Sequence, residues 1–444
     1  MSSRIDSPSS GQPLAPLSPL ASDYRKLAQD IDKTLQKDTL DVWYPRCVDS
    51  RQGGFFCCFD LDWQPGAIQP KTLVFQSRMT WVASQIVLRR PALAPRFREI
   101  ARHGADFLSN QLWDARDGCF FWQLTPQGEA PQDNNEVKHA YGISFGIYAL
   151  ASAGKALGEQ AFIDRAAEAF LWLDKHGHDA VHGGYIEAFH RNGDPMLQVP
   201  PQLPKDTLDY VENAWGCRSM NTHLHLLESF TELYRVWPDP RLRLRLEELL
   251  NIIETRIYAL PGIQYLYLSA DWTPLPGHIP YAHDVETAYL LVEASEALGR
   301  PDEAGVREKA RSLVDYSLQY GWDNRNGGFY HDGDSKTGLP TKRDKVWWAQ
   351  AEGLNALLLM HEKYGSSAPV YWERFLQQWQ FIQKGVIDPR TGGWFHTVSE
   401  DGSQLITNPT DADANGKGSR WKCGYHDGRA LLNVIDRLNQ LAGC

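Results

Sequence analysis

A glycine-plus-aromatic signature recurs six times along the chain, and this repeat constrains the fold more than any other feature. The segments QGGFF, DGCFFW, HGGY, PGIQYLY, NGGFYH and TGGWFH begin at Gln52, Asp117, His182, Pro261, Asn326 and Thr391, and successive starts lie 65 residues apart except for one step of 79. A fixed period marks one supersecondary unit used repeatedly. Between the signatures lie paired stretches with apolar residues at helical spacing, such as Leu224, Leu227, Phe230 and Tyr234, or Val285, Tyr289, Leu290 and Ala294. They predict about twelve helices, near 23–41, 71–89, 94–112, 138–157, 160–176, 216–236, 240–257, 283–299, 302–320, 345–364, 369–386 and 424–440.

A helical hairpin cannot bury its apolar faces alone, so six in series must stack as a solenoid or close into a ring. Solenoid units run to about 20–47 residues. The units here are longer because each carries a loop of glycines and β-prone aromatics, suited to short hairpins. The expected fold is therefore all-α: an (α/α)6 barrel with short β-hairpins in the long loops at one mouth. Residues 22–444 are read as a single catalytic domain, and the Ser/Pro-rich stretch 1–21 as a disordered tail.

That tail lacks the basic and apolar regions of a signal peptide, and no apolar run approaches the ~20 residues of a membrane span. Seven cysteines without metal spacing, two of them the adjacent Cys57 and Cys58, point to a reducing, cytoplasmic setting. A net charge of -10 argues against nucleic acid or an acidic membrane as partner. Sixteen tryptophans suit core packing, and equally the C–H faces of sugar rings.

The distinctive polar residues gather at the beginnings of the even-numbered predicted helices. They are Arg78 with Trp81, Tyr141, Asn221 with His225 and Glu228, His283 with Glu286, Trp348 with Glu352, and Trp421 with His426 and Arg429. In a closed barrel all face one mouth. The spacings His225/Glu228 and His283/Glu286 put each pair on one helix face, where a carboxylate orients an imidazole and favours its protonated form. Two His-x-x-Glu pairs and a third histidine also compose a metal-ligand set, though the pairs lie on distant repeats. Proton transfer without a metal is the preferred reading. The loop histidines, among them His331 and His396, are assigned to surface or structural roles, and His223 is expected to point away from His225.

The stretches SMNTHLHLLESFTELYRVWP from Ser219, PYAHDVETAYLLVEASEALG from Pro280, KVWWAQAE from Lys345 and WKCGYHDGRA from Trp421 resemble the signatures of cellobiose 2-epimerases in the N-acylglucosamine 2-epimerase superfamily. VFQSRMTW around Arg78 and HAYGISFGIYALA around His139 are similar to further motifs. The resemblance runs from about Val42 to the C-terminus. It implies an (α/α)6 barrel that interconverts the glucose and mannose configurations at C2 of a reducing-end sugar with no cofactor. Carried over by motif position, His283 and His426 are general acid and base and His225 is a third pocket histidine. Arg78, Glu286 and Glu352 contact the sugar, Tyr141 and Asn221 line the pocket, and Trp348 and Trp421 are aromatic platforms. Two positions depart: Tyr289, a smaller platform among the sugar contacts, stands where several cellobiose epimerases have Trp, and Ile143 replaces an Asn.

The chemistry demanded is ring opening, removal of the C2 proton to give a cis-enediolate, and return of a proton to the opposite face, which two histidines can manage and one rigid base cannot. Arg78 is the candidate for stabilising the enediolate. Proton return at C1 would give a ketose, so aldose–ketose isomerisation is the nearest alternative. A glycoside hydrolase using Glu286 and Glu352 is a further one, and a lectin-like module is weaker. The expected partner is a small sugar, and the chain a monomer or homodimer.

Overall fold

The computed structural model describes residues 19–130, 137–408 and 414–444. Among these lie thirteen α-helices: α1 (Ala21–Leu35), α2 (Asp41–Cys47), α3 (Leu73–Arg89), α4 (Ala94–Asn110), α5 (Ala140–Leu157), α6 (Gln160–Gly177), α7 (Met220–Tyr234), α8 (Pro240–Ile252), α9 (Tyr281–Ala297), α10 (Ala304–Tyr320), α11 (Trp347–Tyr364), α12 (Val370–Phe381) and α13 (Tyr425–Leu441). Residues 1–18 of the expected tail lie outside the described residues, and Ala21 already opens α1.

Helices α3, α5, α7, α9, α11 and α13 pack each on the next, and α13 returns to α3, so the ring closes. These six are buried along almost their whole lengths. The helices α1, α4, α6, α8, α10 and α12 lie outside them, with core residues on one face and polar residues on the other. This is the (α/α)6 barrel that the repeat implied. Three outer helices finish in π-helical turns, at Gln36–Leu40, Ile253–Ile257 and Ile382–Val386. The first predicted helix stops too early. The chain stays helical through α2, where Trp43 and Tyr44 are buried and the Tyr44 hydroxyl donates to the Met79 carbonyl at 2.8 Å.

Four inner helices also start later than predicted, because the residues before them form two- or three-residue strands. These are β1 (Lys71–Thr72), β3 (Val137–His139), β5 (Arg218–Ser219) and β9 (Lys345–Val346). Each pairs antiparallel with a strand of the following unit: β2 (Gln123–Leu124), β4 (Ala188–His190), β8 (Tyr267–Leu268) and β10 (Thr397–Val398). A further hairpin, β6 (Tyr258–Ala259) with β7 (Ile263–Gln264), turns at Leu260 and Pro261. The ladders lace neighbouring units together at the mouth where the inner helices begin.

The repeated glycine signature has one physical cause. In its loops an aspartate accepts the amides two and three residues ahead, as Asp323 does from Arg325 and Asn326. A fully buried lysine from the segment before the inner helix then binds both that aspartate and a glycine carbonyl. Lys71 takes Asp49 and Gly53, Lys138 takes Asp114 and Gly118, Lys345 takes Asp323 and Gly327, and Lys417 takes Asp388 and Gly392. Arg218 does the same for Asp179 and Gly183. Gly327 has φ +79°, which a side chain would strain. Inner-helix side chains complete the clasp: Gln76 and Gln350 hold both backbone groups of Phe55 and Phe329. His223 accepts the Tyr185 amide and donates to the Ser219 carbonyl, so it serves the scaffold, pointing away from the mouth as expected.

Breaking one partner of a buried pair leaves an uncompensated charge, which costs about 3–5 kcal/mol. Lys345→Met is expected to destabilise the barrel by that order in denaturant unfolding, and adding Asp323→Asn to recover part of the loss. Equal midpoints for wild type and Lys345→Met would show that the pair contributes nothing.

Candidate active site

The polar residues grouped from the sequence converge within the first three turns of the inner helices, just inside the laced mouth. Arg78 comes from α3, Tyr141 from α5, Asn221, His225 and Glu228 from α7, His283, Glu286 and Tyr289 from α9, Trp348 and Glu352 from α11, and His426 and Arg429 from α13. Trp421 precedes α13. Local caps set their directions. His139 at the start of α5 accepts the Tyr141 amide at 3.1 Å, and Ser219 accepts that of Thr222, fixing the first turn of α7.

Arg429 lies 2% exposed at the centre of this region. One terminal nitrogen donates to Glu228 and to the Tyr425 hydroxyl (2.6 Å), and the other to Glu286 and to Glu352 (2.7 Å). Two of these carboxylates carry imidazoles. Glu228 bonds His225 Nδ1 at 2.8 Å, and Glu352 bonds His426 Nδ1 at 2.6 Å. The second pairing crosses between helices, so sequence spacing could not show it. Conversely, the expected His283/Glu286 contact is absent from the hydrogen bonds of the described residues, because Glu286 turns to Arg429 instead. Its other oxygen, Oε2, is buried without a partner.

Above the network, Arg78 donates to the Trp421 carbonyl (3.2 Å) and the Tyr141 hydroxyl (3.1 Å), with its guanidinium over the Phe145 and Tyr425 rings. Its Nε and the Asn221 Oδ1 are buried and unpartnered. The Trp348 ring lies 4.8 Å from His283 and 5.4 Å from His426, centroid to centroid. One indole thus bridges the two imidazoles. Trp421 stands 6.3 Å from Tyr141 and 6.4 Å from Trp122, which stacks on Tyr210. Tyr289, expected among the sugar contacts, is fully buried and gives its hydroxyl to Glu352 at 2.6 Å.

The charge states differ from the sequence expectation that neighbouring carboxylates would favour imidazolium. Burial outweighs them. It drives His283 down to about 3 against the pull of Glu286, and together with the Arg78 cation it holds His426 well below the usual histidine range. Burial works against charge on Glu228 too, but the Arg429 cation and the His225 bond hold its carboxyl well below the usual range. With Glu352 accepting at Nδ1, the Nε2 of His426 is left as an open lone pair.

Glu286, Glu352 and His426 form a cluster whose ligand atoms lie within 4.8 Å of one another. A guanidinium nitrogen of Arg429 binds both carboxylates, so the protein supplies that cluster's cation itself. In the other such cluster, His139, Glu187 and Asp209, both imidazole nitrogens are engaged, and Glu187 accepts from Ser219, Thr222 and Asn213.

Sequence reasoning left out three neighbours of the site. Tyr425 joins Glu228 to Arg429, and its position beside His426 was the available signal. His331, set aside as a loop residue, lies 5.2 Å from the Trp348 ring and is anchored through Nδ1 to Asp332 at 2.7 Å. His396 packs on Trp347 at 4.5 Å.

The sequence profile of N-acylglucosamine 2-epimerase (GlcNAc 2-epimerase) matches residues 54–414. The chain belongs to that family. A cellobiose 2-epimerase of Bacteroides fragilis is 28% identical over 410 residues, spanning 92% of this chain and 98% of the relative. A D-mannose isomerase of Marinomonas mediterranea is 24% identical over 426 residues, spanning 90% and 95%. The structure of a cellobiose 2-epimerase from Spirochaeta thermophila matches with a TM-score of 0.81 at 30% identity, covering 94% of this chain and 98% of that one. This member of the N-acylglucosamine 2-epimerase family is thus an enzyme of the carbohydrate epimerase and isomerase class. No helix among the described residues is long and apolar enough to cross a membrane.

The depressed imidazoles make stability depend on pH. An unfolded histidine takes a proton near 6.5, whereas folded His283 stays neutral down to about 3, so stability is lost as pH falls below about 6.5. His223 and His396, also held to about 3 by burial, act in the same direction. His283→Asn should flatten the fall between pH 6 and pH 5 by about 1 kcal/mol, measured by denaturant unfolding at each pH. An unchanged slope would mean that the imidazole is protonated in the folded enzyme.

Proposed function

We propose that this enzyme inverts C2 of a reducing-end aldose, interconverting the glucose and mannose configurations without a cofactor, and that His283 and His426 exchange the C2 proton. The observation that carries the reading is the pair of imidazoles against one indole, contributed by helices from different repeats. A sugar carbon in front of Trp348 meets one ring from each side. Supporting substrates are a cellobiose-type disaccharide or free mannose, in line with the names of the relatives. The buried thiols of Cys47, Cys119, Cys217 and Cys423, none in a disulfide, suit a cytoplasmic enzyme.

Ring opening moves the anomeric hydroxyl proton to the ring oxygen and exposes the aldehyde. The His426 Nε2, its tautomer set by Glu352, removes the C2 proton on one face; His283, neutral at rest, takes a proton from water at its part-exposed edge once the enediolate's charge stands beside it, and returns that proton on the other face. In the reverse direction the roles exchange. The cis-enediolate between these steps carries negative charge that Arg78 meets with its fixed guanidinium, held by Tyr141 and the Trp421 carbonyl so that little reorganisation is needed. After turnover His426 holds the proton taken from C2 and His283 is neutral again, and loss of the His426 proton to water resets the pair. His225 is a third pocket imidazole beside Tyr141, at 5.3 Å between centroids. Asn221, Glu286 and Trp421 complete the polar and aromatic wall for the sugar. Tyr289 acts on it indirectly, through Glu352.

The D-mannose isomerase relative favours a second outcome, proton return at C1 of the same enediolate to give a ketose. Hydrolysis is disfavoured by geometry. Glu286 and Glu352 share one guanidinium nitrogen, whereas glycosidases place their two carboxyl groups on either side of the scissile bond.

His283→Asn and His426→Asn should each lower kcat/KM by at least about 10³-fold while leaving the fold intact. In heavy water the wild-type enzyme should incorporate deuterium at C2 of cellobiose or mannose, with chromatography separating epimer from ketose. Normal turnover by either variant, or a product free of C2 label, sinks the two-imidazole scheme.

A further inference from the structure

At the end of the barrel opposite the laced mouth, the last turns of the inner helices surround a cavity of about 520 Å³. This is within the range of ligand sites, about 300–1,000 Å³. We infer that it is a second binding site, for a small neutral polyhydroxylated molecule such as a sugar or sugar alcohol, and that it is coupled through Arg429 to the histidine site.

The lining determines the ligand class. Five cationic and five anionic side chains face the cavity, so neither an anion nor a cation gains from its net charge. Several are already paired across the wall: Arg89 with Asp436 at 2.8 Å, Arg437 with Glu362 at 2.5 Å, and Arg235 with Glu232 at 3.4 Å. Such pairs present donors and acceptors side by side, as a vicinal diol requires. Lys155 and Glu293 also line the cavity and form no ion pair among the described residues, which leaves one donor and one acceptor for a ligand. Deeper in, Trp81 stacks on Tyr148 at 4.9 Å and 14°, an aromatic wall suited to C–H groups of a sugar.

The coupling follows from one shared residue. Arg429 lines this cavity and also binds Glu228, Glu286 and Glu352. A neighbouring void bordered by Glu228, Glu232 and Glu293 continues toward the same carboxylates. An occupant that draws on Arg429 alters the carboxylate that orients His426, and a sugar at the laced mouth alters the cavity by the same factor. The coupling rests on the two-imidazole reading; the site itself does not.

The test uses sorbitol, which has no carbonyl and cannot be epimerised. Equilibrium titration of the wild-type chain should give two binding events. Asn433→Trp, which fills the cavity from α13, should lose one of them, and Trp348→Ala should keep that one while weakening the other. Sorbitol should raise KM for the reducing sugar by competition at the histidine site in both proteins, and a further, saturable change of about fivefold or more should appear in wild type and be absent in Asn433→Trp. Leu88→Trp repeats the test from α3 if the Asn433 variant folds poorly. A single event in the wild-type chain, or two in both cavity-filled variants, overturns the inference. Absence of turnover on every reducing sugar would instead overturn the epimerase reading and leave the count of binding events standing.

Discussion

One guanidinium sets the charge state of the barrel interior. Three carboxylates brought from three helices into a dry space cannot all ionise unaided, because each raises the others and burial raises them all. Arg429 reaches Glu228 with one terminal nitrogen and Glu286 and Glu352 with the other, and its cation holds the Glu228 carboxyl well below the usual range while opposing the upward push of burial on Glu352. Their roles as imidazole partners depend on this. A protonated Glu352 would present a competing donor to His426 Nδ1 and leave its tautomer undetermined. Lysine could not do the same work, since a point charge lacks the planar fork that meets several carboxylates at fixed angles.

The network needs a scaffold that holds six helix beginnings in fixed relation, and the laced mouth supplies it. The buried lysines and Arg218 tie five of the six glycine loops to the segment ahead of the next inner helix, and four ladders tie such segments to the following unit. The fourth unit lacks the aspartate and cation and turns instead through Leu260, Pro261 and Gly262, with Gln264 bound to Asp284. It is also the unit before which the spacing stretches to 79 residues. Stability and function are separated along the barrel axis: charge pairs that lock the loops lie at the rim, and those that set proton affinities lie below it.

Much of this was legible in the chain, for identifiable reasons. A 65-residue period and 3.6-residue apolar spacing are local signals, so the helices and the ring were readable to within a few residues. Starts such as that of α7 were misplaced because Arg218 and Ser219 form a ladder with Leu268 and Tyr267, a contact 48 or more residues away that no local pattern encodes. The i, i+3 rule placed Glu228 on His225 correctly. It failed for His283 because Glu286, equally able to reach back along α9, meets a full positive charge on α13. The resemblance offers Tyr289 as a platform for the sugar, yet its hydroxyl has a buried acceptor in Glu352 that only the ring geometry supplies.

The neutral imidazoles follow from the same depth that makes the network strong. Proton affinity near a carboxylate is ordinarily raised, and sequence reasoning stopped there. Here desolvation penalises charge on His426 most, and the Arg78 and Arg429 cations oppose the pull of Glu286. In the proposed scheme the resting site is therefore balanced for removal of a proton, and a transient imidazolium is stabilised only when a negative enediolate forms beside it. An environment that opposes charge on the empty enzyme and accepts paired charge on the intermediate stabilises the transition state more than the ground state, which is the condition for rate enhancement.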